Sequence, residues 1–233
     1  KNVAFRTKGN STLRDVASSD SNRYSFKIQI DKYVEGQTLN GMNELVLNNG
    51  YADASYLREY LTYSASNALG LITPQTEFTQ LYINGELFGF YLYVESYDGT
   101  FVDKNTTDTN AVLYKADSET CTLITADDLK GFEVKEGDDA DLTNLRTLQE
   151  ALSSKDYTKI EKILDTSSVL KYAALSYFTG NYDSYLGDKA HNYFLLYDGG
   201  KIKMVGWDYN MSFNGYPKIN SLSLTPDTIF SQT

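Results

Sequence analysis

Three oxygen-bearing side chains bracket a late pair of strands in this chain of 233 residues. Asp183 precedes the pair, Asn192 opens its first strand, and Asp208 lies just beyond its second. A hairpin sets the start of one strand beside the end of the other, so Asn192 and Asp208 are expected to be neighbours. One carboxylate and one carboxamide at a strand mouth make an oxygen-only pocket suited to a hard cation such as Mg2+. Asp183, in the loop leading into the hairpin, is within reach of the same mouth. The plain alternative is that Asp183 caps a turn and Asp208 closes a tight strand exit. Toward the N-terminus, Lys27 stands alone as a cation in a strand whose other face is apolar. Such a lysine holds a polyphosphate as a point charge, or is simply a solvated strand residue. Arg58 and Glu59 follow on a helix, where a carboxylate can pair with Lys27 and fix its direction. Asn10-Ser11-Thr12 reads as a short polar turn able to cover a phosphate with backbone N–H groups, though it lacks the glycines of a P-loop.

The elements that must position these residues are legible from periodicity. In 23–31, Tyr24, Phe26, Ile28 and Ile30 alternate with Ser25, Lys27, Gln29 and Asp31, which predicts a strand with Lys27 on the polar face. A short apolar run, Glu44 to Leu47, ends at Asn48-Asn49-Gly50. Asp53 is placed to cap a helix with apolar positions Tyr56, Leu57, Tyr60, Leu61, Ala65, Ala68 and Leu69, stopped by Gly70 and Pro74. Two β-rich runs, 76–83 and 86–95, join through Asn84-Gly85, the dipeptide favoured by two-residue hairpin turns. Residues 96–104 read as a polar connection and a hinge. A strand follows at 111–115, then an acidic, irregular excursion over 117–141 with one short strand near Phe132 to Val134. Leucine spacing predicts helices from Leu142, from Ile160 and from Val169 to Phe178, the last capped by Ser167 or Ser168. The final hairpin spans 192–198 and 201–207 around Gly199-Gly200. The sum is an α+β plan in two lobes, strand-rich over about 1–97 and helix-rich over about 98–233.

Composition sets the bounds. Against 31 acidic residues there are 21 basic ones, a net charge of −10, which excludes nucleic-acid binding through overall charge. No apolar run approaches the roughly 20 residues of a membrane helix. Cys121 is the sole cysteine and His191 the sole histidine, so intrachain disulfides and cysteine zinc sites are excluded. Tyrosine is abundant at 20 residues, which suits closing a half-wet sheet surface without disulfides. Lys1 leads directly into a strand-like run, and the stretch from Ser221 to Thr233 has no closing element. The sequence therefore reads as a mature or excised domain with a C-terminal part missing.

Six segments carry a resemblance. Thr7-Lys8-Gly9-Asn10-Ser11-Thr12, Leu57-Arg58-Glu59-Tyr60-Leu61 and Ile83 through Leu92 are similar in type and order to the CotH (spore coat protein H) kinase family. So are Asn181-Tyr182-Asp183-Ser184-Tyr185, His191 through Leu195 and Gly206-Trp207-Asp208-Tyr209-Asn210. The resemblance implies an atypical protein-kinase-like fold that uses ATP and Mg2+ or Mn2+ to phosphorylate Ser/Thr of secreted, cell-surface or spore-coat proteins of a bacterium. It further implies Asp183 as the catalytic carboxylate, Asp208 and Asn192 as metal ligands, Lys27 as the phosphate lysine, Glu59 as its partner and Glu95 as a hinge contact to adenine. The chain departs from the family pattern at Asn210, where some relatives have Asp, and at Leu13, where many have Trp. The spacing from Asp183 to Asn192 is also longer than in ordinary kinases. Two other readings stand beside this one. A non-catalytic extracellular binding or adhesion module on the same fold suits the acidic charge and abundant tyrosine. A glycoside hydrolase using Asp183 and Asp208 explains the aromatics but not Lys27 or Asn192.

Overall fold

The computed structural model describes residues 2–118 and 121–216; the stretch from Ser221 to Thr233 lies outside them. The first half builds β1 (Ala4–Lys8), α1 (Ser11–Ala17), β2 (Ser25–Gln29), β3 (Glu44–Asn48), α2 (Arg58–Ala68), β4 (Thr76–Ile83) and β5 (Glu86–Glu95). The second builds α3 (Gly99–Asn105), β6 (Val112–Ala116), β7 (Phe132–Glu136), α4 (Thr143–Ser153), α5 (Tyr157–Ile163), α6 (Thr166–Phe178), β8 (Tyr193–Asp198) and β9 (Lys201–Gly206). Two antiparallel sheets result, ordered β1-β2-β3-β5-β4 and β7-β6-β8-β9. The chain is thus α+β. No described helix is long and apolar enough to cross a membrane.

Register assigns the faces of the first sheet. Arg6 pairs with Lys27, Lys27 with Val46, and Lys8 with Ser25. Residues directly opposite share a face, so Arg6, Lys8, Ser25, Lys27 and Val46 all look one way. Phe26 looks the other way, stacked on Phe5 at 4.7 Å and in contact with Phe88 and Tyr91. The Asn84-Gly85 turn has φ of 53° and 86°, the left-handed pair that such a hairpin needs.

The main core cluster crosses between the sheets. It joins Val46, Leu92 and Val94 of the first to Tyr114, Tyr193, Leu195 and Met204 of the second, through Tyr63 of α2 and Tyr172 and Leu175 of α6. Tyrosines fill the buried clusters as well as closing a wet surface, and several of their hydroxyls find acceptors there. Tyr97 donates to the Gly206 carbonyl at 2.6 Å and Tyr114 to Asp139 at 2.5 Å.

Expectations about four stretches of the chain are corrected. Helix α2 begins at Arg58 rather than after Asp53; the Asp53 carboxylate instead accepts from the backbone N–H groups of Ser55 and Arg58. It also buries its polar side: Glu59, Thr62, Tyr63 and Ser66 face inward, while Leu57, Leu61 and Leu69 are each more than 40% exposed. The inward face packs against the site described below, which selects polar groups over leucines. The supposed hinge is α3, capped by Asp98 and burying Phe101 and Val102, with Ser96 and Tyr97 buried before it. Asn10-Ser11-Thr12 is the entry into α1 rather than an open turn. The cap of α6 is Asp165, accepting from Ser168 N–H, instead of a serine.

Candidate functional site

The hairpin of β8 and β9 aligns Tyr193 with Gly206. One further bond, from Trp207 N–H to the Asn192 carbonyl at 3.1 Å, carries the pairing to the strand mouth. Asn192 and Asp208 follow on either side, with φ of 58° and 56°. Left-handed backbone at two non-glycine residues is uncommon, and the surrounding fold imposes it. At Gly206 a side chain is excluded, since a Cβ would lie 1.7 Å from the Tyr209 hydroxyl. The Asp208 N–H donates to the hydroxyl of Tyr63 on α2 at 3.2 Å.

Asp183 is held over this mouth. The Asn192 carboxamide donates to the Asp183 carbonyl at 3.0 Å and to its Oδ2 at 3.2 Å. His191 Nε2 lies 3.4 Å from Oδ1. Burial pushes the Asp183 carboxyl above its ordinary range, opposed by His191 and reinforced by the negative charge of Asp208.

Across the cleft, β1, β3 and α2 supply a chain of three buried or half-buried groups. Lys8 Nζ donates to Asn48 Oδ1 at 2.6 Å, and Asn48 Nδ2 donates to both oxygens of Glu59 at 2.9 Å. Burial, helped by Asp208, raises Glu59 to about 7, with Lys8 and the Asn48 hydrogen bonds opposing. Lys27 does not pair with Glu59. Its ammonium lies 2.6 Å from Glu44, which is also bonded by the Ser96 hydroxyl. The reason is register: Glu44 sits on the adjacent strand beside Lys27 on the same face, whereas Glu59 points at Asn48.

One cleft of about 630 Å³ collects Lys8, Lys27, Asn48, Glu59, Asp183, Asn192 and Asp208 along its wall. Glu95 is not among its lining residues. Its carboxylate binds Lys104 at 3.1 Å and the Gln75 N–H at 2.8 Å, and its own N–H is bonded to the Gln75 carbonyl. The neighbours Ser96 and Tyr97 reach the cleft instead. Lys8, Asn48 and Glu44 were not singled out from sequence. The signal for Lys8 lies in the β1–β2 register, which puts it on the face of Lys27, and that pairing spans 17 residues between Lys8 and Ser25.

Among the described residues no three of His, Cys, Asp and Glu come together to hold a metal ion. The donor set still fits a hard cation of the kind that keeps waters and takes one or two carboxylates plus ligand phosphates. Asp208 offers the carboxylate and Asn192 a carboxamide oxygen, its nitrogen being spent on Asp183. Burial raises the Glu59 and Asp183 carboxyl groups, and the negative charge of Asp208 adds to both shifts, so a cation bound at Asp208 would be favoured by its surroundings.

The chain is thus an α+β protein with one cleft in which strand-borne Lys8 and Lys27 stand opposite Asp183, Asn192 and Asp208 at a hairpin mouth. The CotH kinase protein family model matches residues 5–230, and the chain belongs to that family. Inner spore coat protein H of Bacillus subtilis (strain 168) is 28% identical over 198 residues, covering 78% of this chain. The match covers 53% of that relative, so the chain spans about half its length.

Proposed function

We propose that this chain is a kinase-like phosphotransferase that moves the γ-phosphoryl group of ATP to a Ser or Thr hydroxyl of a protein, in a bacterial spore coat. Membership of the CotH kinase protein family supports the class, and the name of the Bacillus subtilis relative supports the location. The observation that carries the reading is the single cleft in which Lys8 and Lys27 face Asp183, Asn192 and Asp208. We read the strand-rich residues 1–97 and helix-rich residues 98–233 as the two lobes of a kinase-like plan around it.

Phosphoryl transfer asks a protein mainly for positioning and charge neutralisation. Lys8 and Lys27 attract the phosphates into a chain whose net charge of −10 would otherwise repel them. Asp208 and Asn192 would hold Mg2+ or Mn2+, which when bound supplies further neutralisation of phosphate charge. Asp183, oriented by Asn192 and His191, accepts the proton of the substrate hydroxyl. The hydroxyl oxygen bonds to the γ-phosphorus as the bond to the bridging oxygen breaks, and ADP departs. The raised affinity of Asp183 for a proton suits it to that acceptance.

The test is transfer of labelled phosphate from ATP to a Ser/Thr-containing acceptor, or to the chain itself, with Mg2+ or Mn2+. Transfer that disappears in Asp183→Ala supports the reading. Nucleotide binding without any transfer would leave a binding module on the same fold, and absence of both would end the proposal.

A further inference from the structure

We propose that Asn48 is a positioning residue that ties the ammonium of Lys8 to α2 through Glu59 and so aims it at the phosphates of the cleft ligand. This rests on the reading of the cleft as a phosphate-binding site. Four observations support it. Asn48 ends β3 in the buried interior, 7% exposed, and neither end of its carboxamide is idle. Its oxygen takes the Lys8 ammonium at 2.6 Å, and its nitrogen divides between the two oxygens of Glu59, itself 6% exposed. Lys8 stands 5.7 Å from the Trp207 ring, one residue from Asp208. Lys27, by contrast, is neutralised locally by Glu44 at 2.6 Å and has no comparable tie to α2.

The chemistry distinguishes this relay from a direct lysine–glutamate pair. In a direct pair the carboxylate cancels the ammonium charge on contact. With a neutral amide between them, the direction of Lys8 is fixed while its positive charge stays uncancelled at contact range and available to an incoming anion. The orientation also becomes a property of three elements at once, β1, β3 and α2, because each contributes one member. An asparagine suits the middle position since it presents an acceptor to the cation and a donor to the carboxylate. Aspartate would offer Glu59 only repulsion, and leucine would offer neither partner anything.

Two measurements test this. Calorimetric titration of ADP with Mg2+ is run on the wild-type chain, Lys8→Met, Asn48→Leu and the double variant, each checked for folding by urea denaturation. A residue acting through Lys8 gives a loss of about tenfold in each single variant and no further loss in the double. Losses that multiply, or an unchanged affinity in Asn48→Leu, overturn the proposal. The second measurement needs no nucleotide: the side-chain ammonium signal of Lys8 in a ¹H–¹⁵N spectrum, assigned by its absence in Lys8→Met. The expected result is a slowly exchanging signal in the wild-type chain that survives Asn48→Asp and vanishes in Asn48→Leu. A signal indifferent to Asn48→Leu refutes the relay. If wild-type chain binds no Mg-ADP, the phosphate-site reading fails and the ammonium signal alone decides whether Asn48 holds Lys8.

Discussion

The two walls of the cleft are built by different means. The N-terminal wall takes Arg6, Lys8, Lys27 and Asn48 from regular strands, where alternation and antiparallel pairing decide which way each side chain points. The C-terminal wall takes Asp183 from a loop and Asn192 and Asp208 from left-handed residues at the ends of a hairpin. Cations can tolerate the coarse placement of a strand face, because charge acts over distance. In the roles proposed for the C-terminal wall placement must be finer, and at Asn192 and Asp208 the backbone is held in left-handed conformations that cost of order 1–3 kcal/mol each. The prediction from this contrast is that damage to the C-terminal wall is severe and specific, while damage to the N-terminal wall is graded.

The largest effect is expected for Asp208→Ala, which should weaken Mg2+-dependent ATP binding by about two orders of magnitude or more, read by calorimetry with and without the metal. Unchanged affinity would remove Asp208 from the metal site. Next, Asp183→Ala should leave Mg-ATP affinity near the wild-type value and lower phosphoryl transfer by about 10³-fold in a labelled-phosphate assay. Parallel losses in binding and transfer would assign Asp183 to ligand binding instead. On the opposite wall, Lys27→Met should lower nucleotide affinity by about threefold, less than the loss expected at Lys8, because Glu44 already cancels much of its charge. A Lys27 effect as large as that of Asp208 would erase the contrast between the walls.

The smallest effect is on stability. Glu59 is raised from an ordinary 4.5 to about 7 in the fold. The folded chain therefore binds more protons than the unfolded chain between those values. The associated stability is fully present below about 4.5 and is lost as pH rises through about 7. Glu59→Gln, which carries no charge to bury, should match the wild-type melting temperature near pH 4 and exceed it by several degrees near pH 8, measured without nucleotide. A difference independent of pH would contradict the origin given for the shift.

How much of this was legible in the sequence follows the same divide between local and distant causes. The hairpin of β4 and β5 announces itself in Asn84-Gly85, since two adjacent residues determine that turn. Asp183, Asn192 and Asp208 could be placed near one another because one hairpin relates two of them and a short loop the third. Glu44 as the partner of Lys27 could not, because it depends on which strand pairs with β2 and in what register. Helix α2 misled in a different way. Its apolar residues describe the wrong inward face, because Glu59 is drawn inward by Asn48 on the neighbouring β3 and Tyr63 by Asp208, 145 residues away in sequence. Helix α3 was hidden by its brevity, seven residues behind the single cap Asp98.

The bond from Tyr97 to Gly206 has a mechanical consequence. Tyr97 sits where the chain leaves the first sheet, wedged against Phe101 at 4.3 Å, Phe194 at 4.7 Å and Trp207 at 4.8 Å. Its hydroxyl is fastened to the strand that ends two residues before Asp208. The crossover is therefore riveted to the second sheet. Any displacement of the first sheet against the β8–β9 hairpin would have to bend upstream of Tyr97, because the link itself is pinned at Gly206.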